Sequence, residues 1–431
     1  MTSSASSKRK LVGVSTQEEH RKQVKSVHTE DIVTIPPSTN VTSRPLSSLA
    51  PVLRVITGSY EHQILCLSLT VDSSSFCSGS HSEKSDVPSA NIFTPIFHFA
   101  SHTASIRSIA HAKRYLVTGG NDEHIRLYDL QKRKEIGTLM FHEGSVSCME
   151  FTNTRTSKDN ETLGSDGKWL LSGGEDGKIL IWRTKDWEVL ADMKGHKGAV
   201  NDISVHPSGK IALSVGRDRT LRLWNLMTAK NASLLKLRNG EAQQVCWNKD
   251  GSRYAVGWQR KIAIYDVNST ELCSFDCASP LYRLRYVTVL DADDIPKEYL
   301  VSSHANGSIT FREIVNDAVA EQFELIAHIT RVKDFDFCTR TPPAEFLRAG
   351  VENRPTTFMS SVSSDGKVVV WNLRSRQAIA VYETSERLNC CTIVEEEIEK
   401  YETTITAAAA ALTANEDPND SDDSDDSESN E

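Results

Sequence analysis

Between residues 52 and 394, short runs in which aliphatic and polar residues alternate are broken by clusters of Gly, Asp, Asn and Ser. A period of two marks half-buried strands and the clusters mark tight turns, so strands joined by turns are expected throughout this stretch. One unit recurs with fixed spacing. Ser172, Asp176 and Trp182 repeat as Ser214, Asp218 and Trp224, as Thr118, Asp122 and Tyr128, and as Ser361, Asp365 and Trp371. In each copy a hydroxyl residue stands four positions before the Asp, and an aromatic ring six positions after it. A histidine lies upstream of each: His102, His142, His196 and His328. Weaker copies follow by register around Thr57–Leu67, Gln259–Asp266 and Ser302–Phe311. From Trp182 to Trp224 to Tyr265 the steps are 42 and 41 residues, close to the roughly 40–45 residues of one four-stranded blade.

These four copies resemble the WD-repeat family, and the resemblance implies an all-β chain folded as a seven-bladed β-propeller. The first repeat begins near Val52 on what would be its second strand. The segment Leu388–Val394 is left over after the seventh blade's outer strand near Ala378–Tyr382. A C-terminal strand is therefore expected to complete blade one and remove the open edge of the ring. The organisation predicted is a disordered basic leader (1–50), one propeller (51–394) and a possible short helix followed by an acidic disordered tail (395–431).

Composition fits that division. The leader is rich in Ser, Thr and Pro, too poor in apolar surface to offset the entropy of ordering. Residues 395–431 carry fourteen acidic side chains against one lysine, a balance of −13, so the net charge of −9 leaves +4 for residues 1–394. A mildly basic body permits an anionic partner without demanding one. Nine cysteines without regular spacing do not describe a disulfide framework, which points to a reducing compartment. Neither a secretory signal nor an apolar run long enough for a membrane helix is present in the sequence.

His142, Ser172 and Asp176 invite comparison with a nucleophilic triad. The same residues recur in four blades, however, and an enzyme has no use for four dispersed triads. In the WD-repeat family such residues form a buried hydrogen-bond network, which implies a structural role for all sixteen. Blades five and six lack the set, with Ala255 and Gln259 in one and Arg312 at the aromatic position of the other. They are expected to be the softer blades. Phosphate-binding and nucleophile-elbow motifs are absent from the sequence, so a non-enzymatic binding protein with no cofactor, metal or small-molecule substrate is expected.

Two groups of basic residues suggest partners. Lys8, Arg9 and Lys10, a ten-residue spacer, then Arg21, Lys22 and Lys25 have the form of a bipartite nuclear import signal. On the ring, Lys178, Lys197, Arg217, Arg219 and Arg331 lie near the His loops and Asp turns, which share one rim, and are the candidate partner-binding residues.

A closer resemblance rests on 194–200 and 203–226, on Gly58–Glu61, His102–Ser105, Ala327–Asp334 and Arg387-Leu388. The chain is similar to the ribosome-biogenesis WD-repeat proteins of the Mak-eleven family, the PAK-interacting proteins of animals. That resemblance implies a nucleolar scaffold for assembly of the large (60S) ribosomal subunit. It would dock on pre-60S particle proteins, with ribosomal RNA a further candidate, as a monomer within a large complex and without membrane attachment. Restraint of PAK-type kinases is a second activity the family suggests. A rival reading is a substrate receptor of a cullin-type ubiquitin ligase, because Trp371-Asn372-Leu373-Arg374 matches the W-[DN]-x-R form such receptors carry.

Overall fold

A computed structural model describes residues 52–71, 76, 93–152, 167–290, 295–315, 318–342 and 354–395. The leader with its import residues, the helix and acidic tail expected after Glu395, and most of two long polar insertions lie outside the described residues.

Among the described residues, twenty-eight strands form seven four-stranded antiparallel sheets. Blade two spans 106–140, blade three 146–194, blade four 200–236, blade five 244–276, blade six 281–326 and blade seven 332–383. Blade one is composite. Its inner strand, Leu388–Glu395, pairs with Val52–Ser59, which pairs with Gln63–Thr70 and then Phe93–Ala100. The closing register runs from Leu53 opposite Glu395 to Ser59 opposite Leu388, so the expected ring closure is what the chain does.

Each blade is a twisted sheet with apolar residues on both faces, and it buries them against its two neighbours. Seven hydrophobic clusters result, one at each interface between successive blades. Trp224, Phe335, Phe358 and Phe311 are among the fully buried side chains. Outer strands are the most exposed of each sheet, as Lys230–Lys236 shows, although Met193, Leu325 and Ala380 on three of them are buried between blades. Five inner strands carry a one-residue irregularity near their start, which places Arg107, Ser147, Asn201, Tyr282 and Lys333 out of register. Such bulges re-aim a side chain, here at the mouth of the central channel.

Candidate functional site

The four repeated quartets close as their spacing requires. In blade four, His196 Nδ1 is 3.0 Å from Asp218 Oδ1, His196 Nε2 is 2.7 Å from Ser214 Oγ, and Trp224 Nε1 donates to the same Oγ at 2.8 Å. Blade three repeats this with His142, Asp176, Ser172 and Trp182 at 3.0, 2.8 and 2.8 Å. In blade two Thr118 takes the hydroxyl position, 2.8 Å from His102, and Tyr128 takes the ring position. Blade seven is looser: His328 Nε2 lies 2.9 Å from Ser361 Oγ, but His328 Nδ1 stands 3.5 Å from Asp365. Burial lowers the pKa of His196 and His328, which favours the neutral ring. A neutral ring gives one proton assignment: Nδ1–H faces the carboxylate, the hydroxyl donates to Nε2, and the Trp N–H donates to the hydroxyl.

Each turn Asp also accepts backbone N–H groups, from Thr103, Glu143, Lys197 and Ile329 in the His loops. Burial alone would raise the four carboxyls, yet their ring and backbone donors outweigh it and hold all four below the usual range. Ser172, Ser214 and Ser361 are 0% exposed and committed on both sides, so no substrate could reach them. This arrangement staples each blade's loop to its turn and supports no nucleophilic chemistry.

Blade six, which lacks the set, builds a substitute network. Ser302 Oγ lies 3.0 Å from His304 Nε2, and Arg312 Nη1 donates to that Oγ at 3.0 Å, the task Trp performs in other blades. His304 Nδ1 faces the Ser279 carbonyl at 3.3 Å in place of an Asp, and burial lowers its pKa. The histidine comes from the strand itself, two residues past the serine, so the upstream-loop pattern passes over it. Arg312 also stacks on Phe275 at 4.8 Å. Arg312→Ala, which strips the hydroxyl of its donor, is expected to lower stability by about 1–3 kcal/mol in urea unfolding. Blade five takes the other route: Ala255 removes the hydroxyl, and Tyr254 stacks on Tyr265 at 5.4 Å and meets Trp247 edge-on.

The candidate rim residues divide into two groups. Gly177 packs against the carbonyls of His196 and Gly198, so Lys178, Lys197, Arg217 and Arg219 gather where blades three and four meet. Lys178 is paired with Glu143 at 3.1 Å, and Arg217 is 3.8 Å from Glu241. Lys197 and Arg219 are exposed. Arg331 belongs elsewhere, at the channel mouth, where it and Arg107 help depress the Lys333 pKa after burial; Lys333 caps the Tyr282 ring at 4.8 Å.

Trp371-Asn372-Leu373-Arg374 has structural work to do. Trp371 and Leu373 are buried, and Asn372 Oδ1 accepts the N–H groups of Arg374 and Ser375. Asn225 and Asp129 cap the same turn in blades four and two.

Sequence reasoning missed the channel. Every inner strand is a sheet edge, and in blades one, four and five carboxylates on the preceding blade accept its N–H groups. Asp202 accepts from Val245, Glu150 from Val205, Asp334 from Cys391 and Asp336 from Ile393, all at 3.0–3.2 Å. From blade six, Arg283 reaches Asp334 at 3.1 Å and Asp202 at 3.6 Å, while Arg285 reaches Asp336 at 3.1 Å. Burial pushes Glu150 up to about 8 and raises Asp202 as well. Asp202 and Asp334 stand six residues after His196 and His328, and Glu150 and Asp336 eight after His142 and His328. Ser108, Cys148 and Ser204 fill these places in other copies, so the spacing does not mark the carboxylates as a group.

Comparison with known proteins agrees with this geometry. The WD40 family model (WD domain, G-beta repeat) matches residues 93–129, 133–183 and 187–225. The chain is 37% identical to Protein MAK11 of Saccharomyces cerevisiae over 81% of its own length and 85% of that protein's. It is 32% identical to the p21-activated protein kinase-interacting protein 1-like of Gallus gallus, covering 75% of this chain and 79% of the relative. Shk1 kinase-binding protein 15 of Schizosaccharomyces pombe is 25% identical over 64% of this chain and 70% of the relative.

Proposed function

The chain belongs to the MAK11 and p21-activated kinase-interacting protein 1 family of WD-repeat proteins, and from that membership we propose that it is a non-catalytic scaffold for ribosome assembly, acting on precursors of the large subunit in the nucleolus. The carrying observation is 37% identity to Protein MAK11 sustained across 81% of the chain. The buried quartets support a scaffold, because the side chains that could have been catalytic are spent on holding blades together. Pre-60S proteins are the partners this reading expects, with ribosomal RNA a further, anionic candidate. Nuclear entry would rest on Lys8, Arg9, Lys10, Arg21, Lys22 and Lys25, and partner contact on the loop-side rim.

Depleting the protein and profiling ribosomes on sucrose gradients tests the reading: loss of free large subunits is expected, and an unchanged profile would overturn it. For the rim, the triple variant Lys197→Glu, Arg217→Glu, Arg219→Glu is expected to reduce recovery of large-subunit precursors at least fivefold in affinity purification. Recovery equal to the parent protein would remove that patch from the interface. Kinase binding is a second reading, favoured by the relatives whose names record it. It predicts direct binding of a purified p21-activated-type kinase in the absence of ribosomal material.

A further inference from the structure

Blade three carries a groove on its outer side, away from the channel, reaching the His loop at Phe141 and the rim residue Lys178 near Asp192. Its wall is the outer strand Glu188–Lys194 from Glu188 to Asp192, with Trp182, Trp187 and Phe141 completing it, and its volume is about 560 Å³. Phe141 meets Trp182 edge-on at 6.1 Å, and Trp187 meets Tyr115 of blade two edge-on at 5.3 Å. The aromatic walls are thus braced by packing behind them.

Three observations concern what fills it. Phe141 is 51% exposed and Leu190 43%, and the register shift between Ile181 and Trp182 falls opposite Leu190. Trp187 has a φ of 58°, in the left-handed region. Arg133, Ala229 and Arg376 occupy the same place, one residue before the outer strands of blades two, four and seven, also at positive φ. The turn therefore needs the conformation but not the indole, which the fold tolerates here at a strained position. Finally, Asp192 Oδ2 is held by Lys194 at 3.2 Å, while Asp192 Oδ1 is buried with no hydrogen-bond donor among the described residues. A carboxylate oxygen left in that state asks for a cation or an N–H group. Glu188 adds negative charge at the other end, only partly offset by Arg183 at 3.1 Å. The outer strand is also a sheet edge, with its far-side main-chain groups open to an added strand.

We propose that this groove docks an extended segment of a partner protein in which a large apolar side chain is followed closely by a lysine or arginine. The apolar side chain lies between Phe141, Leu190 and Trp187, and the basic group meets Asp192. This contact adds to the docking platform proposed above. Its test uses purified components, so its failure leaves the ribosome-assembly reading standing.

The test is fluorescence anisotropy of the purified full chain with two sets of nine-residue peptides. One set has a central Leu or Phe flanked by Lys and Arg; the matched set has Glu at the flanks. The basic set is expected to bind at least tenfold more tightly than the acidic set. Leu190→Asp and Asp192→Asn should each weaken it about tenfold, with Met227→Ala, at an exposed position outside blade four's strands, unchanged. Leu190 is a solvent-facing position, and should Leu190→Asp fail to fold, Asp192→Asn carries the test alone. Absence of binding by the basic set, equal binding of both sets, or indifference to Asp192→Asn would overturn the proposal. A concentration-dependent dimer in sedimentation, abolished by Leu190→Asp, would overturn it too, by assigning the groove to a second copy of the chain.

Discussion

Truncation after Arg387 is expected to leave a chain that elutes as aggregate and melts without a cooperative transition. The strand it removes buries Leu388, Cys390, Cys391, Ile393 and Val394, each at most 2% exposed. At roughly 1.5–3 kcal/mol for a fully buried large apolar side chain, their loss is on the order of 10 kcal/mol. That is comparable with the ~5–15 kcal/mol total stability of a typical folded protein. Two further penalties follow. Asp334 and Asp336 lose the N–H groups of Cys391 and Ile393, and with Thr392 goes the hydroxyl that donates to Asp336 at 2.7 Å. The strand Val52–Ser59 becomes a bare edge, open to pairing with another chain. A chain ending at Glu395 keeps all these contacts and should melt as the full-length protein does. Size-exclusion chromatography and circular dichroism melts of the two truncations make the comparison. A cooperative transition in the chain ending at Arg387 would show that the ring does not need its last strand.

Glu150→Gln should make stability less dependent on pH. The folded carboxyl sits at about 8 against an ordinary 4.5, because burial outweighs the Val205 N–H and the arginines Arg283 and Arg285. Below pH 4.5 the group is protonated in both states and carries no penalty. Between pH 4.5 and 8 the unfolded chain ionises while the folded one keeps its proton, so this group's contribution falls as pH rises. Above pH 8 the loss is complete. Each pKa unit is worth about 1.4 kcal/mol, which puts the loss at several kcal/mol. Glutamine keeps an acceptor for Val205 and cannot ionise. The gap in urea midpoint between variant and parent should therefore widen from pH 5 to pH 8.5. His196 and His328, whose shifts owe nothing to Glu150, cancel in that difference, whereas Asp202, whose charge helps raise Glu150, contributes to it. A gap that stays constant across the range would assign Glu150 an ordinary carboxyl pKa.

Much of the molecule is readable from residues that repeat. The hydroxyl, Asp and aromatic spacing located four blades, and the strands flanking them followed from alternation. Leu388–Val394 was identified as the closing strand because it had no partner left in blade seven. What escaped has a common cause. Arg283, Arg285, Asp202, Asp334, Asp336 and Glu150 work across the channel. The carboxylates share two inner-strand positions but give way there to Ser108, Cys148 and Ser204 in other blades, so only three-dimensional proximity shows them as one group. Blade six escaped differently: Arg312 occupies a Trp position and His304 replaces a loop histidine, so the hydrogen-bond logic survives while its spelling changes. Phe141, in the connection from blade two to blade three, and Trp187, before blade three's outer strand, likewise reach one groove only through folding.

The antiparallel pairing of Leu53 with Glu395 joins one of the first propeller residues to be synthesised with one of the last. At the roughly 5–20 residues per second of translation, the strand beginning at Val52 waits tens of seconds for its partner. Throughout that interval six blades can mature while the first remains a three-stranded fragment. The nascent chain is thus most vulnerable to mispairing at its oldest end, and the seam sealed last is where a helper acting during synthesis would have most to protect.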